Sequence, residues 1–293
     1  MKRYRIAAFI LMIITLMTSI AMPTSASTNA NDKVYESFEA ACDVIRYGIV
    51  QWRNDINTKA YSFYFSVSFK AKSYDKDKLY DDLFKEVFKH TGTYYKGDSL
   101  RANMQEIGFS TSAKKSGNQY IVTVDVYGEY IVTRSKIRKL NKWIENNALW
   151  LATKKYKTGS SDYGKAYGIF LWITKNCHYG RKETDGIINS HITAYGAKYN
   201  QAVCHGIAHL YYMMAVRCGL QCRMMISGDH AWVVVKINGN WYIVDPTFAL
   251  GKKESAAKKY FLIGYSNYSR YSKRKTNMYG GSIKVSKTNY KKR

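Results

Sequence analysis

Apolar and polar positions alternate along this chain with periods that change from segment to segment. In residues 34–50, Val34, Phe38, Cys42, Ile45 and Ile49 fall on one face of a helix. Tyr61, Phe63, Phe65, Val67 and Phe69 then alternate with Ser62, Ser66, Ser68 and Lys70, the period of two that turns one face of a strand inward. Leu79, Leu83 and Val87, with Phe84 and Phe88 beside them, predict a second helix from about Asp77 to His90. Tyr120–Tyr130 is rich in Val, Ile and Tyr and reads as one or two strands broken at Gly128. Residues 33–133 are therefore expected to form a small α+β unit, with no catalytic grouping of its own.

The second half reads differently. Ile137, Leu140, Ile144, Ala148 and Leu151 mark a helix from about Ser135 to Lys155, and Tyr163–Cys177 a further one. A polar loop covers Gly180–Ser190. Cys204-His205-Gly206 opens an apolar run through Ile207, Leu210, Tyr211 and Met214 that Gly219 ends, which predicts a helix of about four turns with Cys204 at its N-terminus. After a strand at Arg223–Ile226, Ala231–Ile237 and Trp241–Val244 are strands joined by Asn238-Gly239, a strong hairpin signal. Tyr260–Ile263 reads as one more strand. The expected fold class is α+β, with a second domain over 134–266 and a Tyr- and Lys-rich basic tail over 267–293.

The N-terminus changes the cellular picture. Lys2, Arg3 and Arg5 precede an uncharged apolar run from Ile6 to Met22 and the small residues Ser25, Ala26 and Ser27, the pattern of a signal peptide spanning 1–26. An uncleaved anchor is the alternative. The chain has 46 Lys+Arg against 21 Asp+Glu, a formal charge of +25. Removal of three basic residues with the leader would leave about +22. Such a charge attracts anionic polymers without selecting one, and in an exported protein a cell-surface polymer suits it better than nucleic acid. The mature protein is expected to be secreted, in association with the cell wall at most, and to hold no membrane span.

Five cysteines, Cys42, Cys177, Cys204, Cys218 and Cys222, leave at least one thiol unpaired in any disulfide scheme. Cys204 is the one with a chemical context. Free N–H groups and the dipole at a helix N-terminus favour a thiolate, and the Cys204 backbone N–H would also face a developing oxyanion. A two-residue turn at Asn238-Gly239 places Trp232 opposite Asp245, so His230 lies diagonal to Asp245 on the same face, roughly 7–8 Å away between backbones. That distance suits an imidazole and a carboxylate that meet. A nucleophile, its base and a carboxylate that fixes the imidazole are the parts of a thiol acyl-transfer site.

The residues Cys204-His205-Gly206, Gly219-Leu220-Gln221-Cys222, Ser227-Gly228-Asp229-His230-Ala231-Trp232 and Asn238 to Thr247, with Ala194-Tyr195-Gly196 upstream, resemble the core of the transglutaminase-like superfamily, of the secreted bacterial type. The resemblance implies a papain-like fold over about Tyr163–Leu262, in which a helix bearing the Cys packs on an antiparallel sheet bearing the His and Asp. It implies Cys204, His230 and Asp245 as catalytic residues of an amide hydrolase or transamidase, acting on peptide or protein substrates without a cofactor. Val233 departs from the Asn that many bacterial relatives carry, which touches substrate positioning and leaves the triad intact. A catalytically silent domain that docks on a cell wall or an acidic partner is the alternative.

Other residues take secondary roles. Trp232 and Trp241 could wall an acyl groove or simply fill the core. Gln201 is a candidate second oxyanion donor. His205 and His209 have a helical spacing that can bind zinc, but no Glu follows the first and no third ligand is evident, so no metal is expected.

Overall fold

The computed structural model describes residues 33–52, 55, 61–267 and 283–291. The expected export segment, 1–26, lies outside them, as does much of the expected tail. Strand β1 (Val34–Tyr35) pairs in parallel with β2 (Ser62–Ala71), Val34 opposite Ser68. Val34 thus does not open the first helix as its spacing suggested. Ser37 Oγ accepts from Ala40 N–H at 3.2 Å and caps α1 (Phe38–Gln51) instead. Helix α1 lays Cys42, Ile45 and Ile49 on Phe63, Phe65, Val67 and Phe69 of β2, and α2 (Lys76–Val87) adds Leu83 and Val87 to the same core.

A short helix α3 (Asp98–Ala102) leads into β3 (Met104–Ser116), a strand that the sequence pattern did not mark. Apart from Ile107 and Phe109 its middle is small or polar, and a register shift between Met104 and Glu106 disturbs the alternation at its start. Strand β4 (Gln119–Tyr130) pairs antiparallel with β2 and β3, giving the order β1-β2-β4-β3. It runs unbroken through Gly128. A Cβ there would stand 2.6 Å from the Glu106 carbonyl and 2.7 Å from the Phe63 ring, so this glycine marks a close approach between strands and not a break.

The second half is built round one helix. Helices α4 (Arg134–Thr153), α5 (Asp162–Asn176) and α6 (Ala194–Tyr199) surround α7 (Cys204–Arg217), whose residues from Gly206 to Val216 are all buried. The meander β5 (Cys222–Ser227), β6 (His230–Ile237) and β7 (Asn240–Val244) packs Ala231, Val233, Val235 and Ile237 into that core. Val233 is therefore an interior residue of the sheet. Asn238 and Gly239 have φ of 50° and 80° and pair Ile237 with Asn240, the two-residue turn that the sequence suggested. The class is α+β throughout, with the Cys204 helix lying on an antiparallel sheet. All five cysteines are free thiols. Among the described residues no helix is long and apolar enough to cross a membrane.

The N-terminal unit meets this core through buried polar groups. The fully buried Asp98 carboxylate takes Arg223 Nε at 2.9 Å, Arg223 Nη2 at 3.0 Å and the Met224 N–H at 2.8 Å. Beside it, His209 Nδ1 accepts from Ala194 N–H at 3.2 Å, so the ring proton sits on Nε2 and is donated to Ser99 Oγ, 2.9 Å away. Asp98 and Ser99 belong by sequence to the first unit and by contact to the second.

The expected C-terminal regions also differ. Tyr260–Ile263 holds a single bridging residue, Ile263, opposite Ile243 rather than a strand. Residues 283–291 of the basic tail lie against the meander: Val285 bridges Trp241, Ser286 N–H donates to Trp241 O at 2.7 Å, and Tyr290 N–H donates to Leu262 O at 3.0 Å. With Ile283 and Val285, this strap covers the outer face of the meander, where Met225, Trp232, Val234, Ile243 and Ile263 cluster. Burial of that apolar face is what retains the segment.

Candidate active site

Cys204 is the first residue of α7 and is partly buried. Val203 before it is extended (φ −82°, ψ 178°) and offers no side-chain cap, so the first N–H groups of the helix remain open. The approach to Cys204 is gripped from both sides. Ala202 N–H donates to His178 O at 3.0 Å, Gly180 N–H to Ala202 O at 3.2 Å, and Val203 N–H to His191 O at 3.0 Å. His205 Nδ1–H donates to Ile192 O at 2.6 Å, which commits this ring to the backbone. Gly206 is required by packing, since a Cβ would lie 2.6 Å from Thr193 O and 2.8 Å from the Ala202 Cβ. In the Cys-His-Gly run, His205 and Gly206 thus fix the turn that presents Cys204.

His230 opens β6, immediately after the two-residue turn Gly228-Asp229. Its Nε2 lies 2.7 Å from Asp245 Oδ2. Asp245 is fully buried and does double duty: Oδ1 accepts from Phe248 N–H at 3.3 Å and caps α8 (Pro246–Ala249). The cap fixes the carboxylate, and the carboxylate fixes the imidazole with Nε2 protonated. Nδ1 is left for Cys204, the ring's other hydrogen-bonding partner. Burial disfavours the imidazolium, yet the bonds to Asp245 and Cys204 and their charges outweigh it and push His230 up to about 9. The three residues proposed from spacing therefore stand in one chain of contacts.

The other expected site residues are placed differently. Trp232 is 1% exposed and belongs to the cluster under the strap; it stacks at 5.8 Å and 23° against the His230 ring. It supports the imidazole and walls no groove. Trp241 shares its face but pairs with Lys236, six residues along β6 from His230, which is roughly 20 Å at strand rise. It packs with Val285 and Ile283, outside reach of the thiol. Gln201 lies with its side-chain amide against Gly180: a Cβ on Gly180 would fall 1.4 Å from Gln201 Oε1. Phe248, whose ring is 4.6 Å from that of His230, completes the imidazole's surroundings. Its place after an Asp-Pro helix start was the available signal for it.

A thiol at the start of a helix, an imidazole whose ionisation it influences and a buried carboxylate are groups that papain-like thiol sites also combine. Residues 150–246, about a third of the chain, match the sequence model of the Transglutaminase-like superfamily, and Cys204, His230 and Asp245 all lie within the matched segment. Among solved structures, the chain is similar to a candidate cysteine protease from Cytophaga hutchinsonii, at 15% identity, TM-score 0.28, over 50% of this chain and 66% of that one. It is also similar to the periplasmic domain of TgpA from Pseudomonas aeruginosa, at 12% identity, TM-score 0.29, over 51% and 73%. A third is a candidate protease from Parabacteroides distasonis, at 11% identity, TM-score 0.27, over 78% and 45%. The chain thus spans just under two thirds of the first and less than half of the third. The comparison with curated proteins finds no match.

Proposed function

We propose that this protein is an exported thiol hydrolase that cleaves peptide or protein amide bonds through Cys204, His230 and Asp245. The observation that carries the reading is the His230 ring held between a buried carboxylate, 2.7 Å from Nε2, and the thiol at the start of α7. In the reaction, the Cys204 thiolate attacks the substrate carbonyl carbon and the C–S bond forms. The oxyanion is met by the Cys204 N–H at the open start of the helix. Imidazolium His230 then gives its Nδ1 proton to the leaving nitrogen, and the C–N bond breaks. Water, deprotonated by the same nitrogen, cleaves the thioester and restores the thiol.

A primary amine in place of water would give transamidation by the same acyl-enzyme. Among the described residues no group marks an amine subsite, and hydrolysis is the simpler reading. Export is supported by the charged and apolar pattern of residues 2–22, and the excess of Lys and Arg fits retention on an anionic cell-surface polymer. The test is intact-mass analysis of the purified protein with iodoacetamide and with a peptide library, with and without a small primary amine. Rapid labelling confined to Cys204 and product lost in Cys204→Ala support the hydrolase. Labelling no faster than that of denatured protein leaves the silent docking module as the better reading.

A further inference from the structure

Two strands of backbone run side by side into the nucleophile, and one of them has an open edge. Tyr179 and Ala202 form a parallel bridge: Ala202 N–H donates to His178 O and Gly180 N–H donates to Ala202 O. In a parallel bridge of this phase the N–H and C=O of Tyr179 itself point away from Ala202, to the opposite side. Among the described residues neither group has a hydrogen-bond partner. The residue is also 59% exposed, an unusual position for a tyrosine that fills no core. Flanking His178, Arg181 and Lys182 are exposed as well, so this segment lies at the surface.

The edge is close to the chemistry. Ala202 precedes Cys204 by two residues in extended backbone, and neighbouring strands lie about 4.8 Å apart, so Tyr179 is roughly 8 Å from the Cys204 backbone. A strand added on the outer side of Tyr179 would stand about 5 Å further out. At about 3.3 Å per residue, an extended peptide whose carbonyl reached the thiol would pass Tyr179 two to three residues from the scissile bond.

Building on the hydrolase reading, we propose that Tyr179 is the substrate-binding edge of the site: it accepts an extended peptide by strand addition, giving one hydrogen bond from its N–H and receiving one at its C=O. The substrate class is thereby narrowed to unfolded or extended polypeptide, read through its main chain. The Tyr179 ring supplies side-chain preference for the neighbouring substrate residue. Gly180 is part of the device, since the Gln201 amide occupies the place of its missing Cβ and locks the two segments in register.

The experiment uses a peptide cleaved by the full-length protein, chosen from a proteome-derived library, in which each backbone amide except the scissile one is replaced in turn by an ester. Esters keep the shape and lose one N–H donor. The expected result is a single position, two or three residues from the scissile bond, where the ester raises KM about three- to tenfold with kcat unchanged, as for loss of one hydrogen bond. Tyr179→Ala should flatten the library preference on that same side of the scissile bond. A flat ester scan in the presence of Cys204-dependent turnover overturns the strand-addition edge alone. Cleavage that persists in Cys204→Ala overturns the hydrolase reading, and the edge with it.

Discussion

Replacing Asp245 by Asn tests the electrostatics of the site without requiring a substrate. Asn keeps the size of the side chain and an oxygen to cap Phe248 N–H, so α8 should hold. What it removes is the negative charge against Nε2. The rise of His230 from 6.5 to about 9 favours the imidazolium by roughly 3 kcal/mol, at about 1.4 kcal/mol per pH unit, and this is what survives after burial has opposed it. The two groups responsible are Asp245 and Cys204, with Asp245 the larger of the two. Loss of the Asp245 charge should therefore lower the His230 midpoint by more than one pH unit. Carbon-13 NMR of histidine-labelled protein, with His230→Gln to identify the resonance, reads this directly. The wild-type midpoint is expected near 9. Linkage has a definite sign here: a raised histidine adds stability that is complete below about 6.5 and is lost as pH rises through about 9. Asp245→Asn should flatten that alkaline loss in urea titrations. A wild-type midpoint at or below 7, or one that Asp245→Asn leaves in place, would refute the coupled thiol, imidazole and carboxylate.

Other perturbations test the scaffold around these groups. Gly206→Ala should cost about 1–3 kcal/mol by forcing apart Thr193 and the α7 start, seen as a lower Tm together with slower iodoacetamide labelling of Cys204. Asp98→Ala leaves the half-buried Arg223 guanidinium and the Met224 N–H without their acceptor, and should destabilise the protein by about 3–5 kcal/mol in urea melts; adding Arg223→Met should return part of that. His209 is held well below 6.5 by burial, so the unfolded chain takes a proton that the folded one refuses, and stability falls as pH drops below about 6.5. His209→Gln should lower stability at neutral pH but reduce its acid slope, and an unchanged slope would count against a neutral buried ring.

The hairpin that carries His230 and Asp245 was legible because its information is local. Asn238-Gly239 permits positive φ at both positions, that turn fixes the pairing of β6 with β7, and the pairing puts His230 and Asp245 on one face. Cys204 was equally exposed to reading, since a glycine-terminated apolar run defines where its helix starts. Strand β3 was hidden because its residues are small and polar, and its partner β4 rather than its own pattern makes it a strand. Gly128 misled for a related reason: a glycine that breaks a strand and one that admits a neighbouring backbone look alike until the neighbour is present.

The sequence by itself determined the periods of the elements, the two-residue turns and the order of thiol, imidazole and carboxylate, all of which depend on residues a few positions apart. Tertiary structure decided everything that depends on distant partners. Trp232 became a buried support and Trp241 a remote one because strand rise carries them apart and the 283–291 strap covers their face. Asp98 and Ser99 joined the core of the second half because Arg223 and His209, more than a hundred residues away, satisfy them there. Tyr179 acquired an open edge only when Ala202 took up the other side of its strand. Local geometry follows from bonded neighbours, whereas burial and hydrogen-bond satisfaction are settled by whichever segments the fold brings together.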